Sequence, residues 1–208
     1  MVYNTYQAYL KQTPATLSQH LSMAKEHDFR LCVKLVRGGY LGSEIRNLIH
    51  PSIEATHNAY DTITSALIHR EYNELITPPA GAEAKEWPDV KVMLATHNAV
   101  SVQKAQSSRQ AQASRGETLT PLAFAQLQGM ADEVSCSLIA ATKASENDEK
   151  AVKEKVFKCT TWGPMHECLN YLLRRAAENK DAAGRTTETR LAMQAELWRR
   201  TRAVFGLA

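Results

Sequence analysis

Short apolar runs and longer stretches of helical spacing take turns along this chain. Val2 to Leu10, rich in Tyr, Thr and Val, reads as a strand. Ala15 to His27 sets Leu17, His20, Leu21 and Ala24 at helical spacing, with Thr16 or Ser18 able to cap it. Leu31 to Val36 (LCVKLV) is apolar but for one lysine and stops at Arg37-Gly38-Gly39, the pattern of a buried strand ending in a loop. Ser52 to Leu75 is a long helical stretch broken by Thr77-Pro78-Pro79-Ala80-Gly81, and the loop runs on to Pro88. Val90 to Ala95 (VKVMLA) is the next strand, Ala99 to Ala113 a Gln/Ser/Ala-rich helix, and Leu122 to Leu127 (LAFAQL) a strand ending at Gly129. A short helix covers Glu133 to Ala144, and the charged stretch Ser145 to Lys155 reads as a solvated loop. Val156 to Thr161 (VFKCTT) is the last strand. Helices follow over Pro164 to Asn179 and Thr186 to Phe205, the second with Leu191, Leu197 and Val204 on one side and many Arg and Glu on the other.

Strands alternating strictly with helices predict an α/β fold with parallel strands and right-handed crossovers. An α/β barrel and a doubly wound sheet both fit the pattern. No GxGxxG follows the first strand and no GxxxxGK[ST] occurs, which counts against the nucleotide-binding open sheets. Polar residues gather just after strands, at Arg37-Gly38-Gly39-Tyr40, Thr96-His97-Asn98 and Gln128-Gly129-Met130. In a barrel such positions converge on the C-terminal face, where active sites sit. Ala-Thr-His-Asn-Ala occurs at 55–59, inside a helical stretch, and again at 95–99, across a strand end. Without wider self-similarity this counts as coincidence rather than a repeat.

Bulk properties narrow the function classes. The chain has 208 residues, enough for a substantial core, with 44% hydrophobic and 23% charged residues. A net charge of +3 gives no argument for nucleic acid, which needs a concentrated basic stripe. No apolar run is long enough to span a membrane, and the first residues lack the features of a signal or transit peptide. Cys32, Cys136, Cys159 and Cys168 form no CxxC pair and read as free thiols; the seven histidines form no metal motif. The arginines of the last helix (Arg185, Arg190, Arg199, Arg200, Arg202) could serve acidic lipid or RNA, but Glu188 and Glu196 dilute them.

One segment carries chemistry by itself. In Tyr171-Leu-Leu-Arg-Arg-Ala-Ala-Glu178, Arg175 and Glu178 are i,i+3 neighbours on a helix, and Arg174 and Glu178 are i,i+4 neighbours. Such a face can hold a carboxylate by forked hydrogen bonds and orient the forks with its own acid. A solvated, ion-paired helix face accounts for the same residues.

Together VKLVRGGY (33–40), LATHN (94–98), FAQLQGM (124–130), WGP (162–164) and YLLRRAAEN (171–179), in this order, resemble the proline dehydrogenase family, with wording nearest its fungal mitochondrial branch. The resemblance implies a (β/α)8 TIM-like barrel, of which this chain would hold about the last five β/α units as one piece, 1–208. It implies FAD as cofactor and oxidation of L-proline to Δ1-pyrroline-5-carboxylate. Electrons would pass to ubiquinone at the inner mitochondrial membrane, from the matrix side, with the targeting segment absent from this chain. The flavin would supply the redox chemistry and the protein position and electrostatics.

Residue roles follow from the resemblance. Arg174 and Arg175 match the pair that binds the substrate carboxylate, and Glu178 the acid that orients them near the adenosine side of the flavin. Lys34 matches a basic residue by the flavin N5, where a cation favours the reduced, anionic flavin. A lysine inside a run that otherwise reads as fully buried is too costly to desolvate to pass as a plain strand-edge residue. Gln7, Arg37, Gly38, Gly39, Thr96 and His97 match cofactor contacts; Tyr40 and Leu127 match walls of the substrate pocket, and Met130 reads as packing. Cys159 stands where most members have tyrosine, which predicts extra room at the pocket edge and weaker selection against 4-hydroxyproline. The chain also has no counterpart of the earlier strands that complete such a barrel. A truncated, inactive remnant of the enzyme is the alternative.

Overall fold

Five parallel strands lie side by side in chain order: β1 (Asn4–Gln7), β2 (Leu31–Val36), β3 (Val90–Ala95), β4 (Leu122–Leu127) and β5 (Lys155–Cys159). Between them run α1 (Thr13–Glu26), α2 (Ile53–His69), α3 (Ala99–Ser114) and α4 (Asp132–Ala144); α5 (Met165–Glu178) and α6 (Thr186–Val204) follow β5. The computed structural model describes residues 2–78, 86–145, 147–148, 151–178 and 186–205, without the side chains of 177–178 and 186–189. The expected α/β alternation is borne out.

Alternation along each strand divides the sheet into two unlike faces. Leu31, Val33 and Leu35 of β2, Val90, Val92 and Leu94 of β3, and Leu122 and Phe124 of β4 are buried in one core. They pack with Leu17 and Leu21 of α1, Tyr60, Ile63 and Leu67 of α2, Val102 of α3 and Leu138 of α4. Each large apolar side chain so buried is worth about 1.5–3 kcal/mol. The residues of opposite parity face away from these helices. Register aligns them in rows: Thr5, Lys34, Met93, Ala123 and Lys155, then Gln7, Val36, Ala95, Ala125 and Phe157. Parallel sheets are normally covered on both faces; here Thr5, Lys155 and half of Phe157 stay exposed.

The element boundaries have local causes. β1 is shorter than the run Val2–Leu10 suggests, because the chain turns at once: Leu10 N–H donates to the Gln7 carbonyl and Thr13 N–H to that of Leu10. Pro14 sits in the first turn of α1, where a missing N–H costs nothing. The Ser52 side chain caps α2 by accepting from Ala55 N–H. That helix stops at His69 rather than Leu75, because Arg70 takes a left-handed conformation (φ 59°) and the Asn73 side chain accepts from Leu75 and Ile76 N–H in a turn. The segment 145–154 is not wholly solvated, as its composition suggests: Glu154 is buried.

Glu154 is held there by Arg109 of α3. Arg109 Nε donates to Glu154 Oε1 (2.8 Å) and its Nη1 to the Thr120 carbonyl (2.8 Å), with the two side chains only 6% and 3% exposed. Thr120 in turn donates to the Leu67 carbonyl at the end of α2 (3.0 Å). This network ties α2, α3 and the starts of β4 and β5 at the N-terminal end of the sheet. The other Glu154 oxygen has no partner, and burial pushes the carboxyl pKa up against the pull of Arg109.

The C-terminal helices are different. Met165, Leu169, Leu172 and Leu173 of α5 and Leu191, Leu197 and Trp198 of α6 are exposed, as is Trp162 at 96%. Among the described residues no helix is long and apolar enough to cross a membrane, no three metal-binding side chains cluster, and all four cysteines are free.

Candidate active site

The strand ends are stitched to one another along the C-terminal rim. Ala8 and Tyr9 N–H donate to the Val36 and Arg37 carbonyls (both 2.8 Å), joining the ends of β1 and β2. Gly39 N–H donates to Gln7 Oε1 (3.0 Å). Gly38 is glycine for a steric reason: a Cβ there would lie 2.5 Å from the Tyr9 ring. A Cβ on Gly39 would meet nothing within 4 Å, so the backbone at Gly39 borders open space.

At the end of β3, Thr96 N–H donates to the Ala125 carbonyl (3.1 Å). Thr96 Oγ1 accepts from Asn98 N–H (3.1 Å), and the Asn98 side chain caps α3 by accepting from Ser101 N–H (3.0 Å). His97 Nε2 accepts the Leu127 N–H (3.1 Å), which leaves its proton on Nδ1. The motif Thr96-His97-Asn98 thus turns the chain, caps the helix and bridges to β4. Buried Gln126 donates to the Thr96 carbonyl (3.3 Å) and accepts from Ser135 of α4 (2.9 Å). Gly129 (φ 74°) turns the chain after β4, and Gln128 N–H reaches the Cys159 carbonyl (3.0 Å).

Arg37 turns back into the protein. Its Nε donates to His57 Nδ1 (2.9 Å), Nη1 to Thr96 Oγ1 and Nη2 to Ser101 Oγ (2.6 Å), with Cζ 4.2 Å from the centre of the Tyr60 ring. Three of its five N–H donors are spent on side chains of the rim. Burial lowers its pKa and burial, with the nearby guanidinium, lowers that of His57. The two copies of Ala-Thr-His-Asn-Ala therefore meet at one guanidinium, His57 from the first and Thr96 from the second. Sequence reasoning missed His57, Tyr60, Asp61 and Ser101. The available signal was that His57, Tyr60 and Asp61 share one face of α2, as i,i+3 and i,i+4 neighbours.

The remaining expected residues fall into two groups. Lys34, Leu127 and Cys159 lie on the face turned from α1–α4: Lys34 one pleat below the rim, between Thr5 and Met93, and Leu127 beside Cys159 at the top. Leu127 is partly buried and Cys159 exposed, and Tyr40 is half exposed on the loop after β2. Arg174 and Arg175 are on α5, flanking Tyr171 with Cζ 5.7 and 5.3 Å from its ring centre. Arg175 Nε also donates to the Tyr171 hydroxyl (3.1 Å). The Glu178 side chain lies outside the described residues.

The model of the family described as proline dehydrogenase matches residues 1–188. The chain belongs to the proline dehydrogenase family. It is 33% identical over 204 residues to a probable mitochondrial proline dehydrogenase of Schizosaccharomyces pombe, matching 96% of this chain and 40% of that protein. It is 31% identical to mitochondrial proline dehydrogenase 1 of Homo sapiens (97% and 31% covered) and 31% identical to a hydroxyproline dehydrogenase of Rattus norvegicus (96% and 40%). The chain thus spans about 40% or less of these relatives. Among solved structures it resembles a variant of proline utilization A from Bradyrhizobium japonicum at a TM-score of 0.59 and 21% identity, over 84% of this chain and 16% of that one. That likeness bears on fold alone and agrees with five strands of a barrel-type sheet.

The rim suits a flavin on chemical grounds. The positions on the face away from α1–α4 include Lys34, Lys91 and Lys155 and not one carboxylate. Above them stand the His97 ring with its proton on Nδ1, the Gln7 amide and the open backbone at Gly39. This is a cation-bearing surface without carboxylates, suited to an anionic or electron-accepting ring.

Proposed function

We propose that residues 1–208 form the C-terminal part of a FAD-dependent proline dehydrogenase that oxidises L-proline to Δ1-pyrroline-5-carboxylate. Its electrons go to ubiquinone at the inner mitochondrial membrane, on the matrix side. The sheet face turned from α1–α4, which bears Lys34, Lys91 and Lys155 and no carboxylate, carries the reading in a chain of this family. Gln7, the Arg37–Gly39 loop, Thr96 and His97 would hold the cofactor, which would supply the hydride acceptor for oxidation of the substrate ring. Lys34 keeps a positive charge beneath that position. Arg174 and Arg175 fork onto the substrate carboxylate, oriented by Glu178, each charge-assisted bond being worth about 1.5–3 kcal/mol. Tyr40 and Leu127 wall the substrate ring.

The test is a visible spectrum of the purified chain after FAD addition and desalting, then proline under anaerobic conditions. Retained flavin that bleaches with proline supports a working site. Flavin lost on desalting identifies the chain by itself as the incomplete, inactive piece.

A second substrate follows from Cys159, exposed next to Leu127 at the rim, and from relatives named hydroxyproline dehydrogenase. A thiol leaves space that a phenol would fill, so trans-4-hydroxyproline is expected to bleach the flavin as proline does. A strong preference for proline that Cys159→Tyr leaves unchanged sinks this second reading.

A further inference from the structure

The Arg37 network joins the two rim loops, and His57, which holds Arg37 Nε, has no assigned role in it. Arg37 follows β2; His57, Tyr60 and Asp61 come from α2, Thr96 follows β3, and Ser101 and Lys104 come from α3. All three hydrogen-bond acceptors that touch the guanidinium, His57 Nδ1, Thr96 Oγ1 and Ser101 Oγ, are neutral. The nearest carboxylate is one bond further out: Ser101 donates to Asp61 Oδ1 (2.5 Å), whose other oxygen is paired with Lys104 (2.6 Å). The cation is therefore positioned by hydrogen bonds rather than neutralised by contact.

Geometry decides what each bond can do. The three acceptors are spread around the fork, and the Nε bond to His57 fixes the direction in which the two terminal nitrogens point. They reach Thr96 and Ser101 only in that direction. Thr96 Oγ1 also accepts Asn98 N–H, and the next residue, His97, holds Leu127 N–H. A displacement of the guanidinium thus passes through Thr96 to the His97–Leu127 bridge, and through the Arg37 carbonyl to Tyr9 on the β1 side.

We propose that His57 is a positioning residue: through Arg37 it sets the spacing of the Arg37–Gly39 and Thr96–His97 loops. The inference deepens the cofactor reading above, and it predicts a mechanical effect that needs no cofactor. His57→Leu keeps most of the volume but removes the acceptor. His57→Asn returns an acceptor at the place of Nδ1, since Asn Oδ1 lies the same number of bonds from Cα. Hydrogen exchange of the Leu127 amide reads the rim; that of the Val92 amide, bonded to the Pro121 carbonyl at the other end of the sheet, reads global opening.

The expected result is Leu127 exchange about tenfold faster in His57→Leu, equivalent to about 1.4 kcal/mol, with Val92 unchanged and His57→Asn restored. Unchanged Leu127 exchange, parallel acceleration at both amides, or His57→Asn behaving as His57→Leu overturns the proposal. Should His57→Leu fail to fold, Thr96→Val removes the acceptor one step along. It is expected to release Leu127 alike, and protection kept there is equally fatal. FAD titration of the same proteins gives a second reading, about tenfold weaker for His57→Leu. If the unsubstituted chain takes up no FAD, the isolated chain is the incomplete piece described above, and the exchange data still decide the role of His57.

Discussion

Two arginines organise the two ends of the sheet in opposite ways. At the N-terminal end Arg109 is sealed from water and faces a carboxylate, so its charge is cancelled where it sits. At the C-terminal end Arg37 is partly buried and faces an imidazole, two hydroxyls and a phenol ring, so its charge survives. The lower network fastens four elements. The upper one fastens four elements and also leaves a positive field at the rim, where an electron-accepting ligand would gather negative charge. The comparison separates stability from function by the sign left over.

Breaking the lower network has the largest expected effect. Arg109→Met leaves Glu154 buried without a partner and is predicted to lower the unfolding free energy by about 3–5 kcal/mol, read by denaturant titration. The double variant Arg109→Met/Glu154→Leu removes both charges and is expected to recover most of that loss. A double variant as unstable as the single one would mean that the pair matters beyond its desolvation. At the rim, Gly38→Ala forces a Cβ to 2.5 Å from the Tyr9 ring, and the crowding is predicted to cost about 1–3 kcal/mol. A melting temperature equal to that of the parent chain would show that Tyr9 gives way freely. Smaller still, Asn98→Ala removes the cap of α3 and should cost about 1 kcal/mol.

Acid separates the two networks more weakly. Burial and Arg37 lower the His57 pKa from 6.5; among its other charged neighbours Asp61 and Glu54 oppose this and Lys104 adds to it. The unfolded chain then binds the proton more readily, so stability present above pH 6.5 is lost as pH falls toward the lower folded value. Glu154 has the reverse sign. Its folded pKa is raised above 4.5, so its contribution is present below pH 4.5 and lost as pH rises through the folded value. As pH drops from 7 to 5 the His57 contribution falls while that of Glu154 rises, and replacing the imidazole in His57→Asn should remove the first and shift the slope of stability toward the second. An identical slope in that variant would remove His57 as its source.

Much of the molecule was legible in its sequence, for reasons that also mark where legibility stops. Alternating apolar runs such as LCVKLV and LAFAQL are long and cleanly bounded, so their strands and the parallel architecture follow. Boundaries fixed by a single backbone turn, as at Arg70, carry no hydrophobic signal, and α2 reads six residues too long. Motif residues at strand ends were found because polar residues there interrupt apolar runs. Glu154 was lost among the charges of a stretch that composition marks as solvated; only the fold brings Arg109 to it. The coincidence of Ala55–Ala59 with Ala95–Ala99 was visible as letters, yet a helix and a strand end meet at Arg37 by tertiary packing, which no local pattern records.

The simple order of the sheet has a consequence for synthesis. Each of β2 to β5 pairs with the strand translated just before it, so the sheet can grow in the direction in which the chain leaves the ribosome. The longest wait falls between β2 and β3, whose paired residues Leu31 and Val90 are separated by the whole of α2 and the loop after it. Loop closure makes such distant pairing the slow event. The guanidinium of Arg37, emerging with β2, finds Thr96 only when β3 has docked, so closure of the Arg37–Thr96 link marks the end of the slowest step.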